Sequence, residues 1–152
     1  MKNMDDWIAV RNALAKIFCK LGIRDVDAII LAELIMYDEN MSVEMLRKRL
    51  NYSISGITSS LHRLMRLHLV ARSKKGKKYL YKSESNILSI LIHLIEEIRK
   101  YDMPLLKRKL EKAKENNELK KKMEMLSEKI KKAEEYLSSL ILLFQEYEGV
   151  IT

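Results

Sequence analysis

Cysteine occurs once in the 152 residues, at Cys19, so counting alone excludes an intramolecular disulfide and any metal cluster built on several thiolates. Proline also occurs once and glycine four times. A strand-rich architecture needs frequent turn residues, so their scarcity points to long helices. Long apolar runs are missing as well. The strongest, Ile87 to Ile95, is interrupted by Ser89 and His93 and falls short of the roughly 20 residues that span a bilayer. The first residues carry Asp5 and Asp6 and lack the layout of a secretory signal, so a cytoplasmic protein without membrane contact is expected. Of the three histidines, His62 and His68 lie six apart and face different directions on a helix, while His93 sits in an apolar stretch, which leaves no metal site. Glu96 and Glu97 are adjacent, diverge by about 100° on a helix, and have no neighbouring nucleophile or glycine-rich phosphate loop. The chain therefore reads as a non-enzyme with no catalytic group and no cofactor. Glutamine occurs only at Gln145 while Lys, Glu and Ile abound, a bias seen in thermophiles.

What the sequence has in excess is positive charge, +8 overall, and its placement is more informative than its size. Residues 1–40 hold five basic and seven acidic side chains, residues 41–84 hold eleven basic against only Glu44 and Glu84, and the remainder is nearly balanced. Solvated surfaces normally intersperse the two signs. A segregated block of this kind calls for a polyanionic partner such as nucleic acid or an anionic membrane.

Apolar periodicity divides the chain into helices. Asp5 or Asp6 can cap a first helix with Trp7, Val10, Leu14, Ile17, Phe18 and Leu21 on one face, and Gly22 is placed to end it. Asp25 starts a second helix, buried at Ile29, Ile30, Ala32, Leu34 and Ile35. Ser42 caps a short third, which turns Val43, Met45, Leu46 and Leu50 inward and the basic Arg47, Lys48 and Arg49 outward. After a tight connection at Asn51 and Tyr52, Ser53 caps a fourth helix whose stripe Ile57, Leu61, Leu64 must face the core. Its opposite side displays Ser55, Ser59, His62 and Arg66, with Thr58 and Arg63 at the edges. Val70 to Ser73 and Lys78 to Lys82 read as two short strands, Tyr79 and Tyr81 sharing one face of the second, around a basic tip at which Gly76 supplies a positive φ.

Helix, turn, helix and basic hairpin in this order predict a mainly α fold: a winged helix-turn-helix, with a three-helix core and a β-hairpin wing, flanked by an N-terminal helix and long C-terminal helices. Short polar residues at the start of the fourth helix let its backbone sit deep in a DNA major groove, and Arg suits bidentate contact with guanine or phosphate. Base reading is therefore placed on Ser55 to Arg63 and anchoring on Arg66, within a recognition helix over 53–68. The segment LNYSISGITSSLHRLMRLHLV, Leu50 through Val70, resembles the recognition-helix region of archaeal and bacterial MarR-like and TrmB-like winged-helix transcriptional regulators, with Ser53 at the cap and Ile57, Leu61, Leu64, Leu67, Leu69 and Val70 at core positions. The likeness covers roughly residues 24–84. It implies DNA contacts at Ser53, Ser55, Thr58, Ser59, His62 and Arg63, and a wing formed by Arg72, Lys74, Lys75, Lys77 and Lys78. His68 stands where the pattern usually has glycine, and the wing lacks the Asp-x-Arg arrangement common in MarR itself, so the broader archaeal winged-helix group is the better match.

Beyond Ser85, a helix over 87–101 is apolar on nearly every side, and Pro104 starts another. From Leu119 the apolar residues Leu119, Met123, Leu126, Ile130, Ala133, Leu137, Leu140, Phe144 and Tyr147 alternate steps of four and three, the spacing of a coiled-coil seam. Upstream the register slips at Asn116 and Asn117, where a kink or short loop is expected. The seam can either fold back on its own chain or join two copies. Self-association is preferred here, because a two-fold dimer presents two recognition helices to adjacent half-sites. Leu91, Leu94, Ile98, Leu119, Met123, Leu126, Ile130, Leu137, Leu140 and Phe144 are the expected dimerisation residues. The organisation is thus an N-terminal helical arm (1–22), a DNA-binding domain (23–84) and a helical dimerisation region (85–152). The expected function is that of a homodimeric regulator bound to double-stranded DNA, blocking or recruiting the transcription machinery; the residues name no small-molecule effector. The alternative is a coiled-coil assembly protein or a nonspecific nucleic-acid binder.

Overall fold

The computed structural model describes residues 2–83 and 87–151, and side chains from Met4 to Ser83 and from Ile90 to Tyr147. Two compact units divide at Leu91 and Ile92. The first begins with α1 (Lys2–Lys20), which starts ahead of the expected Asp caps, so that Asp5 lies in its first turn. Gly22, at φ 96°, ends it: the N–H of Ile23 reaches back to the Phe18 carbonyl at 3.1 Å and that of Gly22 to Cys19 at 3.0 Å, the paired bonds of a Schellman stop. The buried face of α1 is narrower than expected. Phe18 and Ala15 are buried, whereas Val10 and Ile17, expected to face inward with them, are turned away and exposed, as are Met4 and Ile8.

Helices α2 (Asp25–Tyr37), α3 (Val43–Arg49) and α4 (Ile54–Arg66) form the three-helix core. Ser42 caps α3 by accepting the Met45 N–H at 3.2 Å, and Ser53 caps α4 by accepting that of Gly56 at 3.0 Å. Ile30, Leu31, Leu34, Leu46, Ile57, Leu61 and Leu64 are fully buried, each removing enough apolar surface to contribute about 1.5–3 kcal/mol. A second Schellman stop ends α4. Leu69 N–H bonds the Leu64 carbonyl, His68 N–H bonds that of Met65, and His68 itself adopts φ 60°. That left-handed backbone is the physical reason glycine is usual at this position.

Strands β1 (Val70–Lys75) and β2 (Lys78–Ser83) pair antiparallel, with Val70 opposite Ser83 and Lys75 opposite Lys78. Gly76, at φ 65°, takes the first place of the two-residue loop, the type II′ pattern that matches strand twist. Met41 adds a one-residue third strand, exchanging two backbone bonds of 2.8 Å with Tyr81. Tyr81 is buried and Tyr79 exposed on the same face, because only the base of the hairpin meets the helices.

The continuation adds two features to what is expected of it. Chain α5 (Ile87–Glu97) passes through a π-helical turn (Ile98–Asp102) into α6 (Met103–Ala113) without leaving helical dihedrals. Pro104 thus falls in the first turn of α6, as expected, although the chain enters that helix without a break. Its missing N–H is absorbed by the wider turn, in which Met103 N–H bonds Ile98. Ser85 and the side chains of Ile87 and Leu88 lie outside the described residues. At Asn116 the expected break is a short loop that turns the chain back: the Asn116 side chain accepts the Glu118 N–H at 3.0 Å, and α7 (Lys120–Ile151) packs on α6. Met103, Leu110 and Ile130 form the core of this hairpin with Met123 and Leu137 against them, and Lys107 meets Glu134 at 2.6 Å. Met123, Ile130 and Leu137, expected to join two copies, are thus covered by their own chain. Leu119, Leu126 and Leu140 of the same seam remain exposed, and Phe144 is half-buried. Among the residues of α5 and the π turn expected in dimerisation, Leu91 and Leu94 are half-buried and Ile98 is exposed.

Candidate nucleic-acid interface

The outer face of α4 follows from the stripe that anchors it. With Ile57, Leu61 and Leu64 turned inward, Ser55, Ser59, His62 and Arg66 are exposed on the opposite side and Thr58 is half-buried at its edge. Ser53 carries the N-cap bond to Gly56 and lies 3.4 Å from Ser55, so its hydroxyl has a structural task. A cleft of about 540 Å3 separates α4 from β1 and is lined by His62, Met65, Arg66 and Arg72. Arg66 of α4 and Arg72 of the hairpin thus border one concavity.

On the wing, Lys74, Lys75, Lys77 and Lys78 are all exposed. Arg72 is stacked: its guanidinium lies 4.4 Å from the Tyr79 ring centroid, and Lys74 approaches the same ring at 5.6 Å. The register explains this, because Lys74 is the direct cross-strand partner of Tyr79 and Arg72 its diagonal neighbour on the same face. Tyr79 holds two cations in place at the side of the ribbon.

Arg63 stands apart from the expectation that it reads bases. Its guanidinium is forked onto Asp27 of α2, Nε to Oδ2 at 2.9 Å and the second nitrogen to Oδ1 at 2.8 Å, and Ser60 donates to the same carboxylate at 2.6 Å. Asp27 is 4% exposed. These bonds hold the Arg63 guanidinium above its ordinary pKa. The arginine is a clamp between recognition helix and core, since a buried carboxylate left alone would be costly.

A second buried carboxylate was also missed. Glu33, 1% exposed, accepts the Trp7 indole N–H at 2.8 Å and Arg49 Nε at 2.6 Å, with Arg11 at 3.9 Å. Arg49 lies between the rings of Trp7 and Tyr37 at 5.1 and 5.2 Å. It was expected to face outward with Arg47 and Lys48; only those two are exposed. A signal existed for both acids: each is charged within a helix, DVDAIILAELIMY, that is otherwise almost wholly apolar, and such a residue must find a partner. Nothing in the sequence says which partner.

Cys19 donates to Asp25 at 3.3 Å, and partial burial followed by the Asp25 bond and charge raises its pKa, keeping the thiol protonated near neutrality. Among the described residues no group of three or more His, Cys, Asp or Glu is placed to hold a metal ion, and no helix is long and apolar enough to cross a membrane.

No family model and no curated protein matches the chain. The crystal structure of a transcriptional regulator is similar over 96% of this chain and 97% of its own, with a TM-score of 0.69 and 15% sequence identity. A protein of the thermoacidophilic archaeon Sulfolobus tokodaii is similar over 54% of this chain and 86% of its own, at 29% identity and a TM-score of 0.45. The full-length likeness establishes the fold: a winged helix-turn-helix core followed by long helices.

Proposed function

We propose that the chain is a sequence-selective double-stranded DNA-binding regulator of transcription that acts as a homodimer. The observation that carries this reading is the exposed row Ser55, Ser59, His62 and Arg66 on α4, set beside a hairpin bearing Arg72 and five lysines. Helix α4 enters the major groove, where the two serines allow close approach and contact bases or phosphates, and His62 and Arg66 reach further along the groove. The wing lies on the flanking backbone or minor groove and supplies salt-dependent affinity through Lys74, Lys75, Lys77 and Lys78. Arg63 and Ser53 support the helix without reading sequence. The description of the similar full-length fold as a transcriptional regulator agrees with this reading. Occupancy of the site, by blocking or recruiting the transcription machinery, is the regulatory step.

The test is selection of bound sequences from random duplex DNA, followed by affinity for the winner and for scrambled duplex across a salt series. A two-fold symmetric site with half-sites about one helical turn apart is expected. Absence of any enriched sequence, with binding that vanishes as salt rises, would replace gene-specific regulation with nonspecific nucleic-acid binding.

A further inference from the structure

We infer that the C-terminal half of α7 pairs antiparallel with the same segment of a second copy, in the register that brings Lys132 within reach of the partner's Glu146. This deepens the homodimer reading and rests on it. One face of α7 is spent on α6 through Met123, Ile130 and Leu137. Turned roughly 100° from that face runs a second stripe, Ala133, Tyr136, Leu140, Leu143 and Tyr147, again at alternating steps of three and four. Tyr136 is 71% exposed, Leu143 60%, Tyr147 54% and Leu140 40%, so this stripe is left uncovered among the described residues.

Its chemistry selects the occupant. Reversed on itself about residue 138, the stripe brings Ala133 opposite the partner's Leu143 and Tyr136 opposite the partner's Leu140, small against large, and the two-fold axis repeats both pairs. In the same register Lys132 and the partner's Glu146 lie on one flank, offset from level by two residues or about 3 Å, within reach of long side chains, and neither has an ion-pair partner among the described residues. In a parallel pair the two would lie about 21 Å apart along the axis, at 1.5 Å per residue, too far to pair. Charge therefore favours the antiparallel arrangement over the parallel one.

Sedimentation of the full chain over a concentration series reads the result. A dimer is expected, with Lys132→Glu and Glu146→Lys each weakening it about tenfold and the double variant restoring it to within about twofold. Leu140→Glu with Leu143→Glu is expected to give monomers of unchanged helicity, because both side chains are exposed in the single chain. A dimer that survives this pair would overturn the inference and leave the homodimer reading standing. A double charge variant no tighter than the weaker single one would overturn the antiparallel register, and a monomeric unaltered chain would overturn both readings.

Discussion

Asp27→Ala is the perturbation with the largest consequence for the recognition helix. It removes a 4% exposed carboxylate that accepts two bonds from Arg63 and one from Ser60. Breaking a fully buried pair costs about 3–5 kcal/mol, but the Arg63 side chain is 28% exposed and can turn to water, which lowers the figure to about 2–3 kcal/mol. At a slope of about 1.5–2 kcal/mol per molar, the urea midpoint should fall by about 1–2 M. Arg63→Ala should cost at least as much, because it leaves the buried carboxylate with Ser60 alone. The double variant should be less damaging than the sum of the singles by about 1–2 kcal/mol. Equilibrium urea unfolding followed by circular dichroism measures all three, and duplex binding of each variant supplies the functional half. On the proposal that Asp27 and Arg63 fix α4 without reading bases, each variant should lose affinity for selected and scrambled duplexes alike. An Arg63→Ala protein with an unchanged midpoint that loses affinity only for its selected sequence would refute the clamp and return Arg63 to the reading face.

Three further outcomes are expected. Lys75→Ala with Lys77→Ala should weaken binding to every duplex similarly and reduce the slope of log affinity against log salt by about 2, which a fluorescence-anisotropy series measures. Gly22→Ala should cost about 1–2 kcal/mol in thermal or urea unfolding; the residue sits at φ 96° and an added Cβ meets no atom within 4 Å, so the loss is backbone strain alone. Glu33→Ala should shift the emission of Trp7, the single tryptophan, to the red and lower stability by about 3 kcal/mol, while unchanged emission would separate Trp7 from the Glu33 network.

The parts of this molecule legible in its sequence are those governed by local rules. Ser42 and Ser53 cap their helices, Gly22 and Gly76 take positive φ, and the Ile57, Leu61, Leu64 stripe orients α4 because burial along a helix has a fixed angular period. The exposed row from Ser55 to Arg66 followed directly from that stripe. The rest depended on tertiary partners that periodicity cannot name. A seam at three-and-four spacing packs equally well against an antiparallel neighbour in its own chain or in another, so Met123, Ile130 and Leu137 gave no sign that α6 would cover them. The third strand escaped because it is one residue, Met41, held by two backbone bonds. Arg63 and Arg49 read as surface cations because their acids lie 36 and 16 residues earlier, inside an apolar helix.

Those two acids give α2 a role beyond filling the core. Six residues apart, at 100° per residue, Asp27 and Glu33 point to sides of α2 that differ by about 120°. Asp27 grips α4 through Arg63, and Glu33 grips α3 through Arg49, so both helices of the helix-turn-helix are tied to one helix by charged, directional bonds in addition to apolar contact. Glu33 also holds the Trp7 indole of α1, and Arg49 lies over that indole's ring. Displacing α1 from α2 would therefore remove a donor from the same carboxylate that positions Arg49, leaving a buried charge less well satisfied at the root of α3. The energetic cost of moving α1 is thus shared with α3, and the emission of Trp7 reports whether adding duplex DNA disturbs that shared carboxylate.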